Sequence, residues 1–349
     1  MKVDCLIVGQ GIAGSVLAFV LQQQGLNVLV MDDDHRSQCS MIAAGLWNPV
    51  SFKHLHLTWR FPEFREAALS CYQSMEKVLG TSIVHHQDIT RIFPDVHSAN
   101  DWDVRSLLPD LAPYLQHEVD EEVRDQCIQP YGHGIVKGAG WIDVPTMLGA
   151  IKSWLISQGR FRSQRFAHQD LVPLENGYSY GDIQAGSVIL ATGMLNTENP
   201  WFGHLPVLPL KGEILTVELP GKQFSRILNY GHFLLRMKDH VYRLGSTYER
   251  NPASEDPSTE ARDLFLSTLE ELAPGQLRVL DHKSAYRPTT LDRKPLIGRH
   301  PQHERLFIFN GLGSKGVFLA PLHAAWLSDA IRGKGSVHKE VDVIRYFKF

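Results

Sequence analysis

Short apolar runs bounded by glycine stand at both ends of the chain, and a different pattern fills the middle. Residues 3–8 form a mostly apolar run of strand length, the mark of a strand covered on both faces. The run passes through a glycine cluster into residues 15–24, which have helical composition and end at Gly25. Residues 27–31 are a second apolar strand. Near the other end, residues 306–310 lead through Gly311, Gly313 and Gly316 into a helix predicted over about 317–332 and closed by Gly333.

Between these ends, residues 59–79 carry Phe64, Ala67, Ala68, Cys71, Tyr72, Met75 and Leu79 at helical spacing, which predicts a core-facing helix. Residues 100–129, with Asp120-Glu121-Glu122, read as a solvated face. Asp143-Val144-Pro145 opens a helix to Ser157, with Asp143 as its N-cap. Residues 186–193 hold a buried strand at 188–191. From there the pattern turns to strands at 213–219, 231–236 and 240–244, the last two joined as a hairpin by Met237-Lys238-Asp239. Asp256-Pro257 reads as the cap of a helix carrying Phe265, Leu269 and Leu272.

Strand, glycine turn and helix thus occur at both ends. The expected fold class is α/β: a Rossmann-like, doubly wound and mostly parallel sheet, with an inserted α+β domain built on an antiparallel sheet. The expected limits are 1–55, 140–205 and 285–349 for the first domain, and 56–139 with 206–284 for the second.

The first glycine cluster is Gly9-Gln10-Gly11-Ile12-Ala13-Gly14, and Asp32 follows Gly14 by 18 residues. Gly9 permits the tight turn, Gly11 admits a pyrophosphate against the backbone, and Gly14 lets helix and strand pack closely. The helix N-terminus offers N–H donors and partial positive charge, and Asp32 accepts from ribose hydroxyls. Asp33 and Arg36 stand beside it; Asp32 disfavours a 2′-phosphate, while Arg36 leaves that point open. The pattern specifies a dinucleotide without choosing between FAD and NAD.

Composition narrows the field. With 349 residues, 43% apolar, the chain has ample core for two or three domains. Its net charge of −3 gives no positive field and argues against a nucleic-acid partner. No apolar run approaches the ~20 residues that span a bilayer. Asp4 breaks the start of any secretory signal. The dispersed Cys5, Cys39, Cys71 and Cys127 suit a reducing compartment, so a cytoplasmic protein is expected. His54, His56, His85 and His86 form pairs without a third ligand at helical spacing, so no metal is expected.

Four further segments resemble the flavin amine oxidase family of D-amino-acid oxidase, glycine oxidase and sarcosine oxidase. Ala43-Ala44-Gly45-Leu46 resembles the loop beside the flavin ring, and Leu190-Ala191-Thr192-Gly193 the A-T-G turn near the cofactor. Pro209-Leu210-Lys211-Gly212-Glu213 resembles the lead into the substrate sheet. Arg287-Pro288, Lys294-Pro295-Leu296-Ile297-Gly298 and residues 310–321 resemble the C-terminal signature, whose loop and helix cover the flavin. The resemblance implies FAD, bound between these segments and the fingerprint. Its contacts would come from Gly9, Gly11, Ile12, Ala13, Gly14, Asp32, Asp33, Arg36, Ala44, Gly45, Leu46, Thr192, Gly193 and the run Gly311, Leu312, Gly313, Ser314, Lys315, Gly316. Some relatives attach flavin through a C-terminal cysteine; none follows Cys127 here, so noncovalent FAD is expected.

The same resemblance implies a small amine or amino-acid substrate, with the oligomeric state left open. Arg287 stands where relatives clamp a substrate carboxylate, and a salt bridge to Asp292 is the alternative. Lys315, at the start of the last helix, is placed to offset negative charge on reduced flavin, or to make a phosphate or structural contact. D-amino-acid oxidases carry a tyrosine where this chain has Phe233, so Tyr230, His232 and Tyr248 are the candidate hydrogen-bond donors. Lys53, in Asn48-Pro49-Val50-Ser51-Phe52-Lys53, is a candidate for the cleft entrance, with a solvated lysine as the simpler reading.

The expected reaction is flavin-dependent oxidation of the C–N bond of a small amino acid or N-substituted glycine. An alternative arises because Gly311-Leu312-Gly313-Ser314-Lys315-Gly316 resembles a segment of the enzyme that removes a carboxymethyl group from a modified tRNA wobble uridine. A further alternative is a non-catalytic flavin-binding subunit.

Overall fold

A computed structural model describes residues 1–33 and 39–347. The strands that build the site are, in chain order, β1 (Lys2–Val8), β2 (Val28–Asp32), β3 (Ile89–Ile92), β4 (His133–Val136), β5 (Ile183–Leu190), β6 (Val207–Glu218), β7 (Ile227–Tyr230), β8 (His232–Lys238), β9 (Val241–Gly245), β10 (Arg278–Thr290) and β11 (Leu306–Asn310). The helices are α1 (Ile12–Gln23), α2 (Phe61–Leu79), α3 (Val96–Arg105), α4 (Val144–Ser157), α5 (Thr259–Leu272) and α6 (Gly316–Ile331).

Strands β2, β1, β5 and β11 lie side by side and parallel. Their residues are buried almost throughout, which explains continuous apolar runs in place of alternation. Helices α1, α2, α4 and α6 cover one face through Val16, Leu17, Phe64, Ile151, Ala320 and Ala324. The two chain ends meet here, and Tyr72 Oη of α2 donates to Val317 O of α6 at 2.6 Å. The expected doubly wound α/β class is observed.

The second large sheet runs in the order β10, β6, β9, β8, β7, β3, β4, antiparallel except where β7 meets β3. Its two faces alternate residue by residue. One transverse row, Leu215, Leu244, Leu234 and Leu228, packs under Phe265, Leu269 and Leu272 of α5. The next row, Ile214, Gly245, Phe233, Asn229 and Arg91, lies on the opposite face. We retain the expected division into two domains as a proposal, with its limit at 285 falling inside β10.

Three sequence expectations need correction. Residues 100–129 are more than a solvated face: Trp102 is fully buried, and Asp120 is 1% exposed. The Asp120 carboxylate accepts from Thr90 Oγ1 and pairs with Arg226 at 3.3 Å. Average polarity hides single inward positions. The helix cap near 256 is Ser258, whose Oγ accepts from Ala261 N at 3.2 Å, because the helix starts two residues later than expected. Finally, α1 begins at Ile12, directly after Gly11, and not at Ser15.

Candidate active site

The fingerprint forms its turn between β1 and α1. Gly9 adopts φ +104°, and a Cβ on Gly14 would stand 1.9 Å from Gly9 O, so only glycine lets the helix approach this closely. At the end of β2, Asp32 is 7% exposed, and its Oδ2 accepts from Gln10 N at 2.6 Å. Ser40 Oγ accepts from Ile12 N at 3.1 Å, a contact that sequence reading missed.

Two adjoining cavities follow from this turn. The first is walled by Gly9, Asp32, Asp33, Thr192 and Gly193. The second takes in Gly11, Ile12, Ala13, Ala44, Gly45, Leu46, Leu312, Gly313, Ser314, Lys315 and Gly316, and ends at Tyr248 and Arg287. Gly11, Cys39, Ser40, Ala191 and Gly193 belong to both, so they form one continuous cleft. A glycine cradle, a helix N-terminus and an acidic strand end at one side, with a second glycine loop at the other, fit a dinucleotide with an extended ring system. Gly14 and Gly311 shape the backbone without lining the cavities, and Arg36 lies outside the described residues.

At the far end, Arg287 of β10 reaches across Gly212 of β6. A Cβ on Gly212 would meet the guanidinium at 1.9 Å, which explains the glycine in Lys211-Gly212-Glu213. Arg287 Nη1 donates to Thr247 O at 3.1 Å, and its Cζ lies 4.8 Å from the centre of the Tyr248 ring. Desolvation lowers its pKa below the usual arginine range. The alternative partner Asp292 instead accepts from Arg345 Nε at 3.1 Å, so the salt bridge to Arg287 is not formed. Desolvation also lowers the pKa of Lys315. Neither cation has a carboxylate within 4 Å among the described residues.

Behind Arg287, on the covered face of the sheet, Lys211 Nζ lies 3.1 Å from Glu213 and 3.6 Å from Glu249. Glu213 also accepts from Ser258 N at 2.9 Å and Ser258 Oγ at 2.8 Å. Glu213 N donates to Thr247 Oγ1 at 2.9 Å, tying this buried cluster to the residue that holds Arg287.

Of the three substrate-side donors considered, only Tyr248 lines the cleft. Tyr230 packs against the α5 side, and the His232 ring lies 5.1 Å from that of Phe265 on the same side. Phe233 faces the cleft, so its neighbour at 232 points away by the strand's period of two, and Tyr230 pairs with His232. Sequence reading also missed Phe52, Ile214 and Ser246 as wall residues. Phe52 follows a two-residue strand at 50–51, too short to announce itself by alternation. Lys53 is exposed at the adjoining turn.

A family model described as FAD dependent oxidoreductase (DAO) matches residues 4–330. The chain is 24% identical to glycine oxidase of Bacillus subtilis (strain 168), over 95% of this chain and 93% of that protein. It is 22% identical to the tRNA 5-methylaminomethyl-2-thiouridine biosynthesis bifunctional protein MnmC of Legionella pneumophila (strain Corby). That match covers 97% of this chain but 55% of the longer protein. Among solved structures, glycine oxidase from Geobacillus kaustophilus gives a TM-score of 0.83 at 18% identity, covering 99% of this chain and 100% of that one. Iminodiacetate oxidase from Chelativorans sp. BNC1 gives 0.80 at 19% identity, covering 97% and 98%. These two structures establish the likeness of fold.

Proposed function

The chain belongs to the DAO family of FAD-dependent oxidoreductases, and from that premise we propose that it oxidises the C–N bond of a small amino acid or N-substituted glycine. Bound FAD supplies the two-electron acceptor for the hydride that leaves the carbon bearing the amine. The residues of this chain do the rest by binding and orienting. The planar Arg287 guanidinium, held by Thr247 O and the Tyr248 ring, receives the substrate carboxylate through paired N–H donors. The Tyr248 hydroxyl is the donor we assign beside it.

Among the described residues no aspartate, glutamate or histidine lines this end of the cleft, while Arg287 and Lys315 do. The described residues of the site therefore offer cations that disfavour an ammonium and no carboxylate or imidazole to take its proton. The amine is to enter neutral, with its lone pair available to form the imine, which water then hydrolyses to a carbonyl compound and the freed amine. Lys315 at the N-terminus of α6 adds positive charge beside the second glycine loop, where negative charge is to develop on the cofactor side. We place the protein in the cytoplasm, with FAD held noncovalently; among the described residues no helix is long and apolar enough to cross a membrane.

The observation that carries this reading is the Arg287 guanidinium, seated over Gly212 at the cleft end with no carboxylate partner among the described residues. The purified protein should be yellow, and anaerobic addition of N-substituted glycines or small amino acids should bleach the flavin absorbance. A yellow protein that none of these amines bleaches would remove the reading. A second reading, removal of a carboxymethyl group from a modified tRNA base, is supported by the 311–316 loop and by the MnmC match over 97% of this chain. It uses the same chemistry, because that group is also an N-substituted glycine; bleaching by modified tRNA but not by small amines would select it.

A further inference from the structure

The substrate sheet carries a second arginine on its cleft face. Arg91 stands on β3 in the transverse row of Ile214, Gly245, Phe233 and Asn229. Directly opposed residues of paired strands share a face, and Ile214 and Phe233 of this row line the cleft. One strand further on, the row reaches Gly134, on which the Trp102 ring of α3 lies. Arg91 therefore stands where the open face ends and the covered face begins.

Its Nη1 donates to Asn229 Oδ1, and its Cζ lies 5.1 Å from the centre of the Phe52 ring. Phe52 itself lines the cleft, so a single ring separates the cavity from this guanidinium. Among the described residues no carboxylate lies within 4 Å of Arg91. Asp95 acts on it at longer range, and the Asp95 carboxylate is already engaged in capping α3 through Ser98 N. Desolvation lowers the pKa of Arg91. A desolvated guanidinium ordinarily comes with a carboxylate, because an uncompensated charge in a low dielectric is costly. Asn229 and the Phe52 ring meet its geometry, yet neither supplies a negative charge.

We infer that Arg91 and Asn229 form an outer carboxylate subsite, which receives the far end of an N-substituted glycine whose substituent is itself carboxylated, once Phe52 turns aside. This rests on the reading of Arg287 as the inner carboxylate clamp. Gly212, under Arg287, and Asn229, beside Arg91, are three strands and two residues apart, or about 16 Å from ordinary strand spacing and rise. Each guanidinium holds its carboxylate inside that span, so the two carboxylates are to be joined by roughly five to eight bonds. Arg91 and the Asn229 amide together offer planar N–H donors suited to a carboxylate. The subsite only binds; the oxidation step is unchanged.

The holoenzyme is titrated anaerobically with unbranched α,ω-dicarboxylates of increasing length and with monocarboxylates of equal length, following the flavin absorbance. These ligands lack the amine, so binding is read apart from turnover. In the wild type, dicarboxylates within one window of length should bind about tenfold or more tightly than their monocarboxylate counterparts. That advantage should vanish in Arg91→Met and persist in part in Arg91→Lys, with monocarboxylate affinity and flavin content unchanged. If Arg91→Met fails to retain flavin, Asn229→Ala takes its place, with a reduced advantage expected. Dicarboxylates that bind no better than monocarboxylates at any length in the wild type overturn the subsite. So does an advantage that survives Arg91→Met, or Asn229→Ala where that variant replaces it. Monocarboxylates that bind the wild type and Arg287→Ala equally would instead overturn the inner clamp, and the same titrations still report on Arg91.

Discussion

The two faces of the large mixed sheet that carries Arg287 treat positive charge in opposite ways. On the face under α5, Lys211 is 5% exposed and is neutralised at once by Glu213 and Glu249. Burial draws its pKa down, but the hydrogen bonds and charges of Glu213 and Glu249 together more than offset this, and the pKa is raised. On the cleft side, Arg287, Arg91 and Lys315 have no carboxylate within 4 Å among the described residues, and desolvation lowers the pKa of each. Charges that hold the fold together are paired internally. Charges left unpaired at the cleft, with Arg287 and Arg91 partly buried and Lys315 exposed, keep their capacity for an anion that comes from outside, and the two arginines do so at the expense of stability.

The largest effect should come from breaking the paired side. Glu213→Ala leaves Lys211 buried without its main partner, and should cost about 3–5 kcal/mol in urea or thermal unfolding. A cost under about 1 kcal/mol would show that the pair is not structural. The unpaired side should respond in binding and not in folding. Arg287→Ala should lose about 2–5 kcal/mol of affinity for carboxylated ligands, while flavin content and unfolding midpoint hold or rise. A fall in stability comparable to that of Glu213→Ala would erase the contrast.

Thr247 connects the faces, since its Oγ1 accepts from Glu213 N and its carbonyl accepts from Arg287. Thr247→Val should raise KM for carboxylated amines by an amount worth about 1 kcal/mol, with little change in kcat, and Thr247→Ser should restore it. Equal losses in KM and kcat, or no rescue by serine, would assign Thr247 another role. The smallest expected effect is on alkaline behaviour. Lys315 has its folded pKa below 10.5 and Lys211 above it. As pH rises, Lys315 should lose its charge first, so the flavin midpoint potential should show an alkaline step that Lys315→Met removes. Lys211 has the higher folded pKa, so its contribution to stability is full below pH 10.5 and is lost later, as pH passes that raised value. A stability loss that precedes the redox step would contradict the assignment.

What the sequence revealed tracks how local each contact is. Gly9, Gly14 and Asp32 could be assigned because strand, turn, helix and strand follow one another within 32 residues, each with its own pattern. Arg287 was reached through resemblance, but the room made for it by Gly212 comes from a strand 75 residues earlier, and no local pattern encodes that. Tyr230 shows the limit of alternation: a period of two separates the faces without saying which is the cleft. The position of Phe233 already implied that His232 points away, once Phe233 is known to face the site. Arg91 left no signal, because its meaning lies in the lack of a carboxylate beside it among the described residues, which only the meeting of three elements reveals.

The meeting of the two chain ends has a consequence for how the protein comes into being on the ribosome. The fingerprint emerges first, yet β1 gains its neighbour β5 only after about 180 residues, and the loop and helix that complete the cleft come last. At roughly 5–20 residues per second, the nascent chain carries a half-built dinucleotide site for about 15–60 s. During that time the α1 surface destined for α6 is uncovered. Flavin capture then waits for α6, and a chain released before that helix would carry the fingerprint but not the completed site.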